Sequence, residues 1–436
     1  MTDLRRVLFL VPITSLVAGC YDQAFVPGDE ATDRIEITND EFELEQRVLL
    51  LDEEIAIDPD TGLPAFASFR HDESQPLDGL PARVGPRRDQ IKLRLRGEAA
   101  PPVVDGQITQ ATSVAAARGK DKAIVSYGMI GSAALGGVDL FKIERNGRPK
   151  LKSSASFLDA DVLSVSFDDN YAYTAQASSD PARPAPAVVG RFHTRRDKFT
   201  LDGLEQVQLG SFAATSTAHT GSIVYATSGN DGSVYAIDQS DMSILGEFAL
   251  DDARWVAHDK DNGRIAVAQG TPGRISVFAE GMFQGGSLSL LNTFAFPGAD
   301  VAGSKSTVEV LGGKAFVAAG PQGVQVVCLN NGQIVGSVPR PDPASLGLDP
   351  SVVVTNAVTV QDDLMFISNG EAGVYVAVGA ESFETSDCHE PQMITVLGKM
   401  QFEDLESVNH VVYRDNQLWI AAGLGGIKIV DVRVRR

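Results

Sequence analysis

The side chains of this 436-residue chain that could do chemistry are scattered rather than grouped. Its six histidines are His71, His193, His219, His258, His389 and His410. None forms a His-x-His or His-Glu-x-x-His pair, so the sequence holds no local zinc signature. Acidic doublets are common, among them Asp251-Asp252, Asp362-Asp363 and Glu403-Asp404. Two carboxyls facing one bond could hydrolyse a glycoside, but these doublets are expected at turns, as solvated charge. There is no Gly-x-Ser-x-Gly elbow and no Walker loop. Glycine pairs such as Gly320-Pro-Gln-Gly323 join one strand-like run to the next, with no helix N-terminus to receive a phosphate. No Cys-x-x-Cys-His haem site occurs, and Trp255 and Trp419 are the only tryptophans. The expectation is therefore no catalytic residue, no metal site and no cofactor. Arg254-Trp255 is the most interface-like pair, since exposed Arg and Trp are frequent anchors. Trp255 followed by Val256 also suits the core of a strand, and core is the favoured expectation.

The N-terminus carries an address. Arg5 and Arg6 precede a nearly unbroken apolar run from Val7 to Ala18. That run is too short for a permanent membrane helix and suits the core of a signal peptide. It ends Leu16-Val17-Ala18-Gly19-Cys20, which resembles the lipobox of bacterial lipoproteins. The resemblance implies a signal peptide over residues 1–19, cleavage before Cys20 and diacylglycerol on its thiol. It also implies outer-membrane localisation, because Tyr21 separates Cys20 from Asp22 and the inner-membrane retention signal is an Asp directly after the cysteine. In an oxidising compartment Cys328 and Cys388 could pair, or stand as two thiols; the sequence leaves both open.

A net charge of −20 makes nucleic acid and anionic lipid surfaces poor partners. Residues 20–90 are expected to form a lipid-anchored acidic, Pro-rich tether, within which Ile35 to Ile57 is apolar enough for a short strand or helix packed on the main domain.

From about residue 110 the chain repeats a pattern of polar turn, apolar strand, glycine pair and second apolar strand. Five units are clear. Their turns are Gly221-Ser222, Asp261-Asn262-Gly263, Gly312-Gly313, Asp362-Asp363 and Asp415-Asn416, and their glycine pairs begin at Gly229, Gly270, Gly320, Gly370 and Gly423. Two degenerate units open at Lys120-Asp121 and Asp168-Asp169-Asn170. Seven turns at a spacing of roughly 46 residues match the length of a four-stranded propeller blade. The prediction is an all-β fold, a β-propeller of seven four-stranded blades over residues 91–436. Ile91-Lys-Leu-Arg-Leu-Arg96 alternates apolar and basic residues and is expected to be the closing strand of the last blade.

Two of the strands resemble known repeats. Gly426-Ile-Lys-Ile-Val-Asp-Val is similar to the LVIVD repeat, and Ser233-Val-Tyr-Ala-Ile-Asp238 to the YncE-like (YVTN) propeller repeat. The resemblance implies an extracytoplasmic binding role without fixing a ligand. Ligands of such rings generally meet the loops leading into each blade and those joining its second and third strands. Here that face would hold Asn230, Asp231, Arg254, Trp255, Gln322 and Glu371. The expected function is a lipid-anchored binding or scaffold module of the cell envelope, with an envelope protein or glycan as partner. The alternative is an enzyme acting on a polysaccharide or small molecule at the propeller axis.

Overall fold

Short strands rich in Val, Ile and aromatic residues cannot bury both faces of one small sheet, so each sheet must stack on its neighbours. The computed structural model describes residues 34–63, 68–69, 87–116, 119, 121–129, 131, 133–168, 170–298, 304–402 and 407–435. The expected signal peptide, the lipid-attachment residue Cys20 and the Glu403-Asp404 doublet lie outside the described residues. Seven antiparallel sheets follow one another at residues 110–157, 160–208, 216–249, 253–295, 308–338, 357–400 and 410–434, here blades 1 to 7. The first strand of each blade packs on the first strand of the next, and that of blade 7 packs on that of blade 1. This closed ring is the seven-bladed propeller expected from the repeats.

The repeat residues have physical jobs. The turn between the first two strands needs left-handed backbone, with φ of 58° at Gly263 and 64° at Asn416. The first glycine of the pair bridges to the next blade: Gly229 to Ala253, Gly320 to Thr355, Gly370 to Val408 and Gly423 to Ala111. A Cβ on Gly370 would sit 2.3 Å from the Val352 carbonyl oxygen, so only glycine permits that approach.

Blade 7 is assembled from both ends of the described chain. Ile91–Ala99 pairs along the whole of Ile427–Val434. Its Ile91, Leu93 and Leu95 are buried while Lys92 and Arg94 face solvent. Outside it lies Val48–Ile55, which makes the sheet five-stranded.

The apolar stretch from Ile35 to Ile57 packs on the main domain, as expected of it. Residues 34–58 form a belt around the outer edges of three blades. Ile35–Thr38 pairs with the outer strand of blade 1, Val48–Ile55 with blade 7 and Ile57–Asp58 with blade 6. Ile35, Leu44 and Ile55 are buried there, and that apolar contact is what a free tether would lack. Arg47 locks the belt in place. Its guanidinium donates to both carboxylate oxygens of the fully buried Asp139, at 3.1 and 2.5 Å, and to the Ala100 carbonyl at 2.9 Å.

Cys328, in the third strand of blade 5, is disulfide-bonded to Cys388, in the loop before the outer strand of blade 6, with a Cα separation of 5.1 Å. The bond links two adjacent blades.

Candidate ligand-binding site

The loops leading into the first strands and those joining second to third strands gather on one face of the ring. With residues of the first strands of blades 1, 2 and 4, the loops of blades 3 to 5 line a cavity of about 560 Å³. Its walls are apolar in part: Leu163, Phe212 and Trp255 face it. Phe212 is 57% exposed, a large apolar surface left open to solvent. Asn230, Asp231 and Asp251 form part of the lining from the loops of blades 3 and 4. The Asp231 amide donates to Asp251 Oδ1 at 2.8 Å, which fixes the two loops against each other.

An internal clamp shapes the rest of the lining. Arg254 is buried and makes a bidentate pair with Asp252, Nε to Oδ1 at 2.8 Å and Nη2 to Oδ2 at 2.7 Å. Its Nη1 donates to the Ser304 carbonyl at 3.0 Å. Arg254 thus ties the approach to blade 4 to the approach to blade 5, and the next residue along is Lys305. The Lys305 ammonium crosses the axis and donates to the carbonyl of Thr112, on the first strand of blade 1. Burial pushes this amine down to about 7, because little water remains to solvate its charge. Trp255 stacks on His410 from the first strand of blade 7, and His410 Nδ1 accepts from the Val114 amide at 3.4 Å. Desolvation, with smaller repulsion from Lys305 and Arg414, pushes His410 down to about 3, so its ring is neutral at physiological pH. These cross-axis contacts fill the channel next to the cavity.

Of the six residues placed on this face by sequence, Asn230, Asp231, Arg254 and Trp255 line the cavity. Trp255 is half-buried: it packs against the blade core, as favoured for it, and also lines the cavity. Gln322 and Glu371 are exposed on the matching loops of blades 5 and 6 and do not line the cavity. Phe212, Leu163, Thr112 and Lys305 were not singled out in the sequence. A signal existed for Lys305: it leads into the first strand of blade 5 as Asp252-Ala-Arg254 leads into blade 4. Away from this face, His389 Nδ1 lies 3.9 Å from Cys388 Sγ. Among the described residues, Cys328, Cys388 and His389 are the group whose ligand-type atoms come together, but both sulfurs are held in the disulfide.

Chemically, the cavity offers an aromatic wall, an acidic edge and a desolvated amine. Asp252 is committed to Arg254, and Asp231 and Asp251 are held side by side. This arrangement recognises a ligand more readily than it cleaves one.

The fold is that of a seven-bladed β-propeller, with a cavity among the loops of one face. Among solved structures the chain is similar to the WD40 β-propeller domain of Doa1, at 10% identity and a TM-score of 0.50, over 78% of this chain and 97% of that one. It also matches the computationally designed Ika8 protein, at 12% identity and a TM-score of 0.44 over 78% and 93% of the two chains. Sqt1 of Saccharomyces cerevisiae matches at 14% identity and a TM-score of 0.46 over 75% and 97%. Likeness at these identities shows the fold. No family model and no curated protein sequence matches the chain.

Proposed function

We propose that this chain is a non-enzymatic binding propeller of the cell envelope, which grips a segment of a partner protein in that cavity. The observation that carries this reading is the open aromatic wall of Phe212 and Trp255 beside a polar edge, on loops held rigid by the ring. The lipobox-like Leu16 to Cys20 supports an acyl anchor at the outer membrane, and the LVIVD-like and YncE-like strands support an extracytoplasmic role. Arg34, the first described residue of the belt, pairs with Asp159 and Asp180.

The test is a cross-linked pull-down from native membranes, run side by side with wild type and Phe212→Asp. A stoichiometric envelope protein is expected with wild type and should be lost with the variant, whose exposed side chain leaves folding intact. Equal recovery by both would move the partner to another surface. Fractionation of Cys20→Ala tests the anchor separately: release into the soluble fraction is expected, and retention in the membrane would refute it.

A further inference from the structure

The cavity is lined by a lysine that forms no ion pair among the described residues. Lys305 lines it, and its ammonium has three protons to donate. The contact made is to the Thr112 carbonyl, and no carboxylate among the described residues forms an ion pair with it. The acid carried by the same lining and closest in chemistry to such a partner, Asp252, gives both its oxygens to Arg254. The lysine is not placed there by chance of a loose loop. Ser304, its neighbour, is pinned by Arg254 Nη1, and Thr112 holds the amine from across the axis. A desolvated ammonium held by a neutral carbonyl costs stability in the empty protein. That cost is removed when a ligand brings the missing anion.

We propose that the pocket receives a single carboxylate borne on an apolar group, with Lys305 accepting the carboxylate and Phe212, Leu163 and Trp255 packing the apolar part; the C-terminus of a partner chain ending in an apolar residue is the occupant. The inference rests on the pocket-binding reading above and adds the chemical class of the ligand. Three observations narrow that class. Of the two cations in the lining, Arg254 is paired with Asp252, so Lys305 matches one negative charge. Asp231 and Asp251 at the edge, on a chain of net charge −20, repel polyanions such as nucleic acid or phosphorylated clusters. The volume of about 560 Å³ is that of a small-molecule site, enough for a terminal residue and its neighbours but not for a folded element.

The same chemistry could come from a free apolar acid, so the experiment has two arms. The first titrates N-acetyl-Gly-Gly-Phe against its C-terminal amide, read by Trp255 fluorescence and calorimetry. The second titrates 3-phenylpropionate. The acid peptide is expected to bind at least tenfold tighter than the amide. Lys305→Met should erase that difference. Because Lys305→Met removes a desolvated charge, it is expected to fold; Lys305→Gln provides a second variant, and Lys305→Arg should retain a preference for the acid. Tight binding of the peptide but weak binding of 3-phenylpropionate identifies a chain terminus, and equal binding of both identifies a free acid as sufficient and overturns the peptide assignment. Equal affinity for peptide acid and amide would overturn the carboxylate site and leave the pocket reading standing. Absence of binding by either peptide or by the acid would overturn the inference outright, whereas the pocket reading falls only on the Phe212→Asp pull-down.

Discussion

Trp255 and His410 stack with ring centroids 5.1 Å apart and planes inclined by 28°. They come from the first strands of blades 4 and 7, which are not neighbours in the ring. The contact therefore spans the axis, and it makes the wall of the cavity depend on a residue more than 150 positions away along the chain. It also places an imidazole where water does not reach.

That imidazole gives the first prediction. His410 has a folded-state value of about 3 against an ordinary 6.5. The unfolded chain takes up a proton that the folded ring refuses, so the stability is complete above about pH 6.5 and is lost as pH falls toward 3. The loss should approach about 1.4 kcal/mol per pH unit inside that window. His410→Asn retains an acceptor for the Val114 amide but does not titrate. Denaturant unfolding at a series of pH values should show a wild-type profile steeper than that of the variant below pH 6.5, and parallel profiles above it.

Gly270 should not tolerate alanine. A Cβ there would lie 1.8 Å from Arg254 Cζ and 1.9 Å from its Nε. Arg254 would have to leave Asp252, orphaning a buried carboxylate, at a cost of about 3–5 kcal/mol. The Ser304 carbonyl would lose its donor as well, so Lys305 would lose its position. Gly263→Ala is the control: its φ is 58° but nothing lies within 4 Å of the added Cβ, so the cost should be only about 1–2 kcal/mol of backbone strain. Unfolding free energies that rank the two substitutions in the opposite order would contradict the clamp.

Arg47 should be needed for the belt. Asp139 is fully buried and takes two hydrogen bonds from the Arg47 guanidinium. Arg47→Met leaves that carboxylate uncompensated and is expected to cost about 3–5 kcal/mol. The double replacement Arg47→Met with Asp139→Leu should recover most of the loss, because no buried charge remains. A single variant as stable as wild type would show that the belt is not held by this pair.

Reduction of Cys328–Cys388 should loosen the ring between blades 5 and 6. The two cysteines are separated by 60 residues. Opening a loop of that length returns up to about 4 kcal/mol of chain entropy to the unfolded state. Thermal unfolding with and without a phosphine reductant should show a lower midpoint in its presence, and Cys388→Ser should show the reduced midpoint under both conditions. An unchanged midpoint on reduction would mean that blade packing alone holds this junction.

Much of the architecture is legible in the chain because its signals are local. Asp362, Asp415 and Asn416 adopt positive φ at their turns, as do Gly221, Gly263 and Gly313. Such turns are selected by the few residues within them. Seven of them at a near-constant spacing imply seven small sheets, and sheets of that size have to close into a ring to bury both faces. The belt was only half visible. Ile35 to Ile57 has the apolar residues to pack, but two of the three edges that receive it, Pro149–Phe157 and Ile394–Met400, are made by strands more than 100 residues downstream.

The cavity is a different matter. Thr112, Phe212, Trp255 and Lys305 belong to four separate parts of the chain and share no spacing. Turn chemistry placed Asn230, Asp231, Arg254 and Trp255 on the same face as Gln322 and Glu371, and could not say which of them would converge. Ring closure decided that, by bringing the first strands of blades 1, 4 and 7 to one axis and setting the approach to blade 5 against Thr112. Local backbone preference therefore determines the number and order of the blades, while the uncompensated amine at the cavity exists only once distant strands have excluded water from around it.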